Sequence, residues 1–247
     1  MSRPYNLLIS IVSHGQMELV NDLLFDLALC DLERCKIVVR SNVNESVKIN
    51  MQGLDCTHVK NLYPAGFSYN HNRNFEIKKS QYFAILNPDL KIIDKKIFKK
   101  LINVIDNNPE SLVCPSVVNE TGNLEDSARS FPTFLNMTNR LLFNSDKKFK
   151  REQNKAVMKV DWCAGMFHLY TSKIYIRMKG LSEKYFLYCE DVDISLRMQR
   201  AGFSTLICND IFVRHDARRD SHKKIKYFIY HIRSYIRLYL NIYLKIN

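Results

Sequence analysis

The chain has 247 residues, of which 46% are hydrophobic and 25% charged, a composition that fits one large globular domain with at most a small appendage and excludes a disordered or fibrous chain. Formal charge is +12 with a sequence pI near 9.3, so partners bearing phosphates, or an anionic membrane surface, suit it. Seven scattered cysteines with no C-x-x-C point to free thiols rather than a disulfide framework or a zinc site. The Met-Ser-Arg-Pro start shows no apolar leader, and no uncharged run approaches the ~20 residues of a spanning helix. The expectation is a chain made and kept in the cytosol.

Taken in order, Leu7 to Ser13 is an apolar, β-branched run that predicts a buried strand. Leu19, Val20, Leu23, Leu24 and Leu27 then fall at helical spacing, and Lys36 to Arg40 predicts a second strand closed by Ser41-Asn42. A β-α-β start argues for a parallel sheet with ligands at the strand carboxyl ends. Ser13, Ser41 and Asn42 sit at those ends, where turn chemistry is the alternative reading. Pro64 to Asn74 is a glycine-containing turn entering a polar helix. Its Asn70, His71, Asn72 and Asn74 are more amides and imidazoles than a helix cap needs.

Tyr82 to Leu86 predicts a third strand, followed by Asn87-Pro88-Asp89. An Asp in a turn is common, but after the strand of an α/β sheet it is placed to ligate Mg²⁺ or Mn²⁺. Ile97, Phe98, Leu101, Val104 and Ile105 predict an amphipathic helix, and Leu112 to Val118 another strand. From Leu124 to Lys155 periodicity weakens, and the basic run Lys147, Lys148, Lys150 and Arg151 reads first as a solvated loop. Asp161 and Trp162 precede the strand Met166 to Tyr170. Trp162 is by default a core residue, and at a sugar site it would be a stacking platform.

Tyr185 to Arg197 carries the densest chemistry. An aromatic run leads into Glu190, Asp191 and Asp193 at the start of a helix predicted over 190–201 and closed by Gly202. Capping is the default reading of acids there. The sharper reading is a general base whose proton affinity is raised by neighbouring charge. Phe203 to Cys208 and Ile211 to Val213 predict two short strands ending at Arg214-His215-Asp216. His215 follows a strand and has the chemistry to return to a metal.

The tail, taken as 217–247 after a domain of 1–216, changes character. Residues 214–247 hold nine Lys or Arg against two Asp, a surplus of seven. Ile225, Phe228, Ile229, Ile232, Ile236, Tyr239, Leu240 and Tyr243 make one helical stripe. Lys223, Lys224, Lys226, Arg233 and Arg237 lie largely off it. Such a basic amphipathic helix either packs on the domain or lies on anionic lipid.

Six stretches in order carry a resemblance: Ile11 to Gly15, Val38 to Asn42, Gly66 to Asn72, Leu86 to Asp89, Val160 to Gly165, and Tyr188 to Asp193. Together they resemble family 2 glycosyltransferases, the inverting enzymes of GT-A fold, and among them bacterial rhamnosyltransferases of O-antigen and related polysaccharide assembly. The resemblance covers roughly residues 6–216. It implies a Rossmann-like mixed α/β sheet flanked by helices. It implies Asp191 as catalytic base with Glu190 beside it, and Asp89 and His215 on a divalent metal, Mg²⁺ or Mn²⁺. It assigns Ser13, Ser41, Asn42, Gly66, Asn70, Asn72, Asn87 and Asp89 to the nucleotide-sugar side. Asp161, Trp162 and Asp193 fall where donor sugar meets acceptor. Asn87 stands where many members carry Asp, which leaves fewer anionic ligands.

The implied reaction moves L-rhamnose from dTDP-rhamnose to a glycan on a polyprenyl-diphosphate carrier, at the inner face of the cytoplasmic membrane. The rival expectations are a UDP-hexose or UDP-galactofuranose donor, and a catalytically silent homologue that organises an assembly. Nucleic-acid binding ranks below these, because no base-reading or stacking motif accompanies the basic tail. Oligomeric state is open.

Overall fold

A computed structural model describes residues 6–131, 151–152, 154–215 and 225–244. Strand β1 (Leu7–Ser13) is apolar on both faces, and helix α1 (Met17–Ala28) carries it to β2 (Cys35–Ser41) in parallel, with Ile9 opposite Ile37. β3 (Cys56–Lys60) extends this run in parallel beyond β2. After α2 (Phe67–Phe75), β4 (Tyr82–Leu86) pairs with the other side of β1, also in parallel. The β-α-β expectation therefore holds. β3 has no counterpart in the sequence reading, because Cys-Thr-His-Val-Lys is a half-exposed edge strand without a hydrophobic run.

The second half of the sheet is mixed. Strand β5 (Leu90–Lys91) and helix α3 (Ile97–Asn107) lead to β6 (Ser111–Val118). The short β7 (Ala128–Arg129) pairs with β9 (Trp162–Cys163) as a separate ribbon; β8 (Val157–Val160) lies between them in sequence. β10 (Phe167–Thr171) enters antiparallel between β4 and β6. Helices α4 (Ser172–Arg177) and α5 (Glu190–Arg200) precede β11 (Ser204–His215). Among the described residues the sheet runs β3-β2-β1-β4-β10-β6-β11-β5, with β8 also on β11.

Alternation along the strands divides the core into two layers. Leu7, Ile9 and Ile11 face α1 and α3, with Leu23, Leu101 and Ile105. Leu8, Phe83 and Tyr170 face the other way, onto Tyr175, Ile194 and Met198 of α4 and α5.

Where two short strands were expected after Gly202, the structure has the single β11. Its pairing with β6 slips between Cys208, opposite Pro115, and Phe212, opposite Ser116. Pro115 has no N–H to give the ladder, which explains a bulge here. The Ser116 hydroxyl donates instead to the Cys208 carbonyl at 2.7 Å. All seven cysteines are free thiols, four of them buried.

The tail helix α6 (Ile225–Tyr239) ends in a π-helical turn, Leu240–Leu244. Among its described side chains the buried ones are Ser234, Leu238 and Asn241, none of which belongs to the apolar stripe. Ile229, Ile236 and Tyr243 of that stripe remain 43–56% exposed. The 216/217 boundary, Lys147, Lys148, Lys150, Lys223 and Lys224, and the side chains of Ile225, Lys226 and Phe228, lie outside the described residues. Arg151, the last of the basic run, donates to Ser116 and Ser127 hydroxyls at 2.7 and 3.0 Å.

Two loops are clasped across the fold by Asn72. Its Oδ1 accepts from the Tyr175 hydroxyl (2.7 Å) and Leu181 N–H (3.0 Å), and its amide donates to the Leu181 carbonyl (2.9 Å). Gly180 passes beneath at φ +68°, and a Cβ there would sit 2.5 Å from Asn72 Oδ1. The Gly180→Ala variant is expected to lose about 1–3 kcal/mol of stability, from left-handed backbone and a displaced clasp. Urea unfolding would show this as a lower midpoint at unchanged slope.

Candidate active site

The carboxyl ends of β1 and β2 carry a web of side-chain bonds. The Ser13 hydroxyl donates to Glu45 at 2.6 Å, and Gly15 N–H donates to the same oxygen at 3.0 Å. Ser41 Oγ lies 2.7 Å from His58 Nε2. Asn42 is a hub: its Oδ1 accepts from Asn61 (3.0 Å) and Ala65 N–H (2.7 Å), and its amide donates to the Ala65 carbonyl (2.9 Å). Asn61 also donates to Asn70 Oδ1 at 2.7 Å. Ser13, Ser41, Asn42 and Asn70 are thus brought together, and all four are buried. They brace the rim, while the half-buried Glu45 and the exposed Gly15 stand nearer solvent. Glu45, His58 and Asn61 gave no signal in the sequence beyond being polar residues near strand ends.

Gly66 begins α2 where the chain crosses Phe186. A Cβ at Gly66 would meet the Phe186 carbonyl oxygen at 2.8 Å, and Phe67 N–H donates to that oxygen at 2.9 Å. Its bareness serves a backbone-to-backbone contact that fixes the aromatic run before Glu190. Asn72, assigned to the nucleotide side, is instead spent on its clasp, with its amide also donating to Glu183 at 2.9 Å. Both lone-pair directions and both amide hydrogens are committed.

The turn after β4 places Asp89 against His215 at the end of β11. His215 Nε2 lies 3.2 Å from Asp89 Oδ2, and its Nδ1 lies 2.9 Å from Glu125 Oε2. The hydrogen bond that its ring N–H donates to Asp89 is the chief cause pushing His215 up to about 9, against the effect of burial. Asp89 Oδ1 is buried without a hydrogen-bond partner among the described residues. Asn87 donates its backbone N–H to the Met166 carbonyl at 2.9 Å. Sequence reasoning paired Asp89 with His215 and missed Glu125, an isolated acid in a polar stretch. Among the described residues no group of three or more His, Cys, Asp or Glu is arranged to hold a metal. An orphaned carboxylate oxygen beside an imidazole nonetheless fits a divalent ion that takes its remaining ligands from a diphosphate.

The three acids of α5 have three different fates. Asp191 is half-buried, and its Oδ2 accepts the Gly165 N–H at 3.1 Å. Glu190 is buried, its Oε2 has no partner among the described residues, and burial, then the Asp191 charge, push it up to about 8. Burial thus favours its protonated form, and it lies beneath Asp191. Asp193 is 2% exposed and is taken up by Arg197 Nε (2.7 Å) and Asn241 (3.1 Å), so it braces α5 and α6 rather than a sugar. Cys189, at the helix N-cap position, makes no side-chain cap bond. It and Tyr188 both hold positive φ, 67° and 71°. Two consecutive left-handed non-glycine residues cost on the order of 1–3 kcal/mol each and mark a site held under constraint.

Trp162 follows its default reading: it is buried, its indole N–H donates to the Ser130 carbonyl at 2.9 Å, and Arg129 lies over the ring. Asp161 accepts the Phe131 N–H at 2.8 Å.

A family model described as "Glycosyltransferase like family 2" matches residues 10–230. Rhamnosyltransferase WbbL of Escherichia coli (strain K12) is 28% identical over 242 residues, which is 92% of this chain and 89% of WbbL. The mannosyltransferase PcManGT from Pyrobaculum calidifontis, solved with GDP-Man and Mn²⁺, superposes with TM-score 0.66 at 11% identity. That match covers 96% of this chain and 65% of PcManGT. S. aureus TarS 1-349 with UDP-GlcNAc gives 0.61 at 12%, covering 86% and 58%. GalNAc-T7 with UDP, GalNAc and Mn²⁺ gives 0.59 at 14%, covering 88% and 45%. The chain thus spans less than two thirds of these solved chains, and shares their GT-A fold.

Glu190 makes stability fall with pH. A carboxyl whose folded value is raised binds its proton more tightly when folded. Its contribution is intact below the unfolded value near 4.5 and is lost as pH rises toward about 8. Glu190→Gln removes this loss. Its melting temperature is expected to match the native chain near pH 5 and exceed it by several degrees at pH 8, by scanning calorimetry. A gap that does not widen with pH contradicts the assignment.

Proposed function

The chain belongs to glycosyltransferase family 2, and on that premise we propose that this glycosyltransferase moves L-rhamnose from dTDP-rhamnose to a glycan on a lipid-diphosphate carrier, in O-antigen or related polysaccharide assembly. The juxtaposition at residues 165–166 carries the reading. Gly165 holds Asp191, and the neighbouring Met166 carbonyl holds the Asn87 N–H that begins the Asp89 turn. A base and an anion-side turn thereby flank one two-residue step. The likeness to WbbL supports rhamnose as the sugar.

In this reading Asp191 accepts the acceptor hydroxyl proton. The acceptor oxygen forms a bond to the anomeric carbon while the bond from that carbon to the diphosphate oxygen breaks, with inversion. Gly165 N–H and Val192 N–H each hold one carboxylate oxygen, at 3.1 and 2.8 Å, so the carboxylate is fixed in orientation and its remaining lone pairs are left to the acceptor. Burial raises the proton affinity of Glu190 beneath it, which disfavours a second negative charge beside Asp191. Asp89 and His215 would hold Mg²⁺ or Mn²⁺, which when bound supplies Lewis-acid charge to the leaving diphosphate. Glu45 and Gly15 line the nucleoside side.

The test is rhamnosyl transfer to a lipid-diphosphate-linked acceptor with either metal present. Asp191→Asn is expected to lower kcat by roughly 10²–10⁴ with folding intact, and Asp89→Ala to abolish any stimulation by metal. Equal activity in native and Asp191→Asn chains overturns the base. Asn87 and the absence of a three-ligand group among the described residues favour one second reading, a silent homologue. That reading requires that a panel including UDP-hexoses and UDP-galactofuranose also shows no transfer.

The same proposal places the enzyme on the inner face of the cytoplasmic membrane. What supports it is the outward row Ile229, Ile236 and Tyr243 flanked by Arg233 and Arg237. No helix among the described residues is long and apolar enough to cross a membrane. Ile229→Asp puts an anion on that row and is expected to weaken sedimentation with phosphatidylglycerol vesicles at least tenfold at unchanged melting temperature. Unchanged sedimentation removes the membrane proposal.

A further inference from the structure

Between the segment ahead of Glu190 and the last helix lies a groove of about 590 Å³ that none of the chemistry above uses. Its wall on one side is Lys184 and Phe186. On the other it is Tyr230, Arg233, Ile236 and Arg237 of α6. Three cations line it and no carboxylate does. Lys184, Arg233 and Arg237 are exposed, and none of them enters an ion pair among the described residues. The neighbouring acid, Glu183, is turned toward Asn72 and Arg73. The rest of the lining is apolar or aromatic: Phe186 stacks on Tyr230 with ring centroids 4.8 Å apart, and Ile236 is 56% exposed.

We infer that this groove binds the lipid end of the acceptor, a polyisoprenoid diphosphate. The two phosphates sit among Lys184, Arg233 and Arg237, and the first isoprene units lie over Phe186, Tyr230 and Ile236. The inference deepens the functional reading and rests on it for the glycan that the carrier bears. Charge complementarity selects the occupant. A neutral glycan gains nothing from three cations, and a free phosphate gains nothing from the exposed apolar half. A single amphiphile with a dianionic head satisfies both.

Placement gives the same answer. The Ser234 hydroxyl donates to the Leu187 carbonyl at 2.8 Å, tying the groove's far wall to the chain that runs directly into the base. Phe186 precedes Asp191 by five residues, a reach of at most about 17 Å. A sugar attached to a diphosphate in the groove therefore lies on the side of the sheet where Asp191 takes its proton. The nucleotide diphosphate is held at the opposite, Asp89 side, so the two diphosphates do not compete. Arg233 and Arg237 also border the outward apolar row of α6, so a carrier drawn from a bilayer enters the groove head first.

The experiment is calorimetric titration of the full chain with farnesyl diphosphate, in EDTA so that no metal bridges the donor side, and without vesicles. Native protein is expected to bind farnesyl diphosphate at least tenfold more tightly than inorganic diphosphate or farnesol. Arg233→Gln/Arg237→Gln is expected to weaken it tenfold or more, and Lys184→Gln, on an exposed side chain away from α6, severalfold. Phe186→Ala is expected to weaken farnesyl diphosphate while leaving inorganic diphosphate unchanged. Equal affinity in native and charge variants overturns the groove. So does equal affinity for inorganic diphosphate, which makes it a phosphate site only. Binding to anionic vesicles with none to farnesyl diphosphate also overturns it, in favour of a plain membrane surface. The probe carries neither donor nor sugar, so the outcomes separate. If these arginines set farnesyl diphosphate binding but dTDP-rhamnose is not used, the donor assignment falls and the groove stands. If transfer proceeds with acceptor KM unchanged in Arg233→Gln/Arg237→Gln, the groove falls and the activity stands.

Discussion

The antiparallel entry of β10 between β4 and β6 is the constraint on which the site depends. A parallel strand there would bring its own carboxyl end to the rim. Because β10 runs the other way, its first residues lie beside the last of β4, with Phe167 opposite Leu86. The step before it, Gly165-Met166, is thereby forced into the gap between the Asp89 turn and the start of α5. Its two backbone bonds, to Asp191 and from Asn87, follow from that position. One reversal of strand direction thus brings together two acids about a hundred residues apart in sequence. Gly165 also lies within 3.5 Å of the Asp191 Cβ, measured from where its own Cβ would be, so the step approaches α5 closely.

The ground under Asp191 is not relaxed. Tyr188 and Cys189 hold left-handed backbone, and Glu190 is buried with an unpartnered oxygen. Each feature alone is unfavourable, and together they require that the surroundings over-determine the turn. The surroundings do so from three directions. Gly66 lets α2 close onto Phe186, Ser234 of α6 holds Leu187, and Trp162, Tyr185, Val192 and Leu238 pack as one apolar cluster around Cys189. The cost is located where the chemistry is, and the stabilising contacts come from elements distant in sequence.

What was legible in the sequence follows from how local each signal is. β1, β4 and β6 are largely apolar runs, and Asp89, Asp191 and His215 lie at the end of a strand or the start of a helix, positions readable from pattern alone. β3 was not legible, because an edge strand reading Cys-Thr-His-Val-Lys carries no apolar run. Neither were Glu45 and Glu125, single acids in polar loops whose partners lie 32 and 90 residues away. Asn72 and Asp193 misled for a related reason. Density of polar side chains near a motif is the same signal whether they meet a ligand or meet Tyr175 and Asn241. Only the fold says which bonds are already made. Capping, the default for the acids of α5, holds in part: Asp191 accepts the Val192 N–H of the first turn at 2.8 Å, while its other oxygen reaches Gly165 and Asp193 reaches Arg197.

The tail shows the same limit from the other direction. Its apolar stripe was plain, but the face that meets the domain is chosen by bonds the stripe does not contain. Asn241 donates to Asp193 and accepts from Arg200, while Leu238 fills the space beside Cys189. A helix anchored through polar residues can leave apolar ones outside, which a helix anchored by its stripe cannot. That choice puts Arg233 and Arg237 on the element that also braces the turn before Asp191. An attachment felt at Arg233 or Arg237 acts on the same rigid helix whose Ser234 and Asn241 hold the chain on either side of Asp191. A load on Arg233 or Arg237 is therefore passed to the Asp191 turn through a single helix rather than through a hinge.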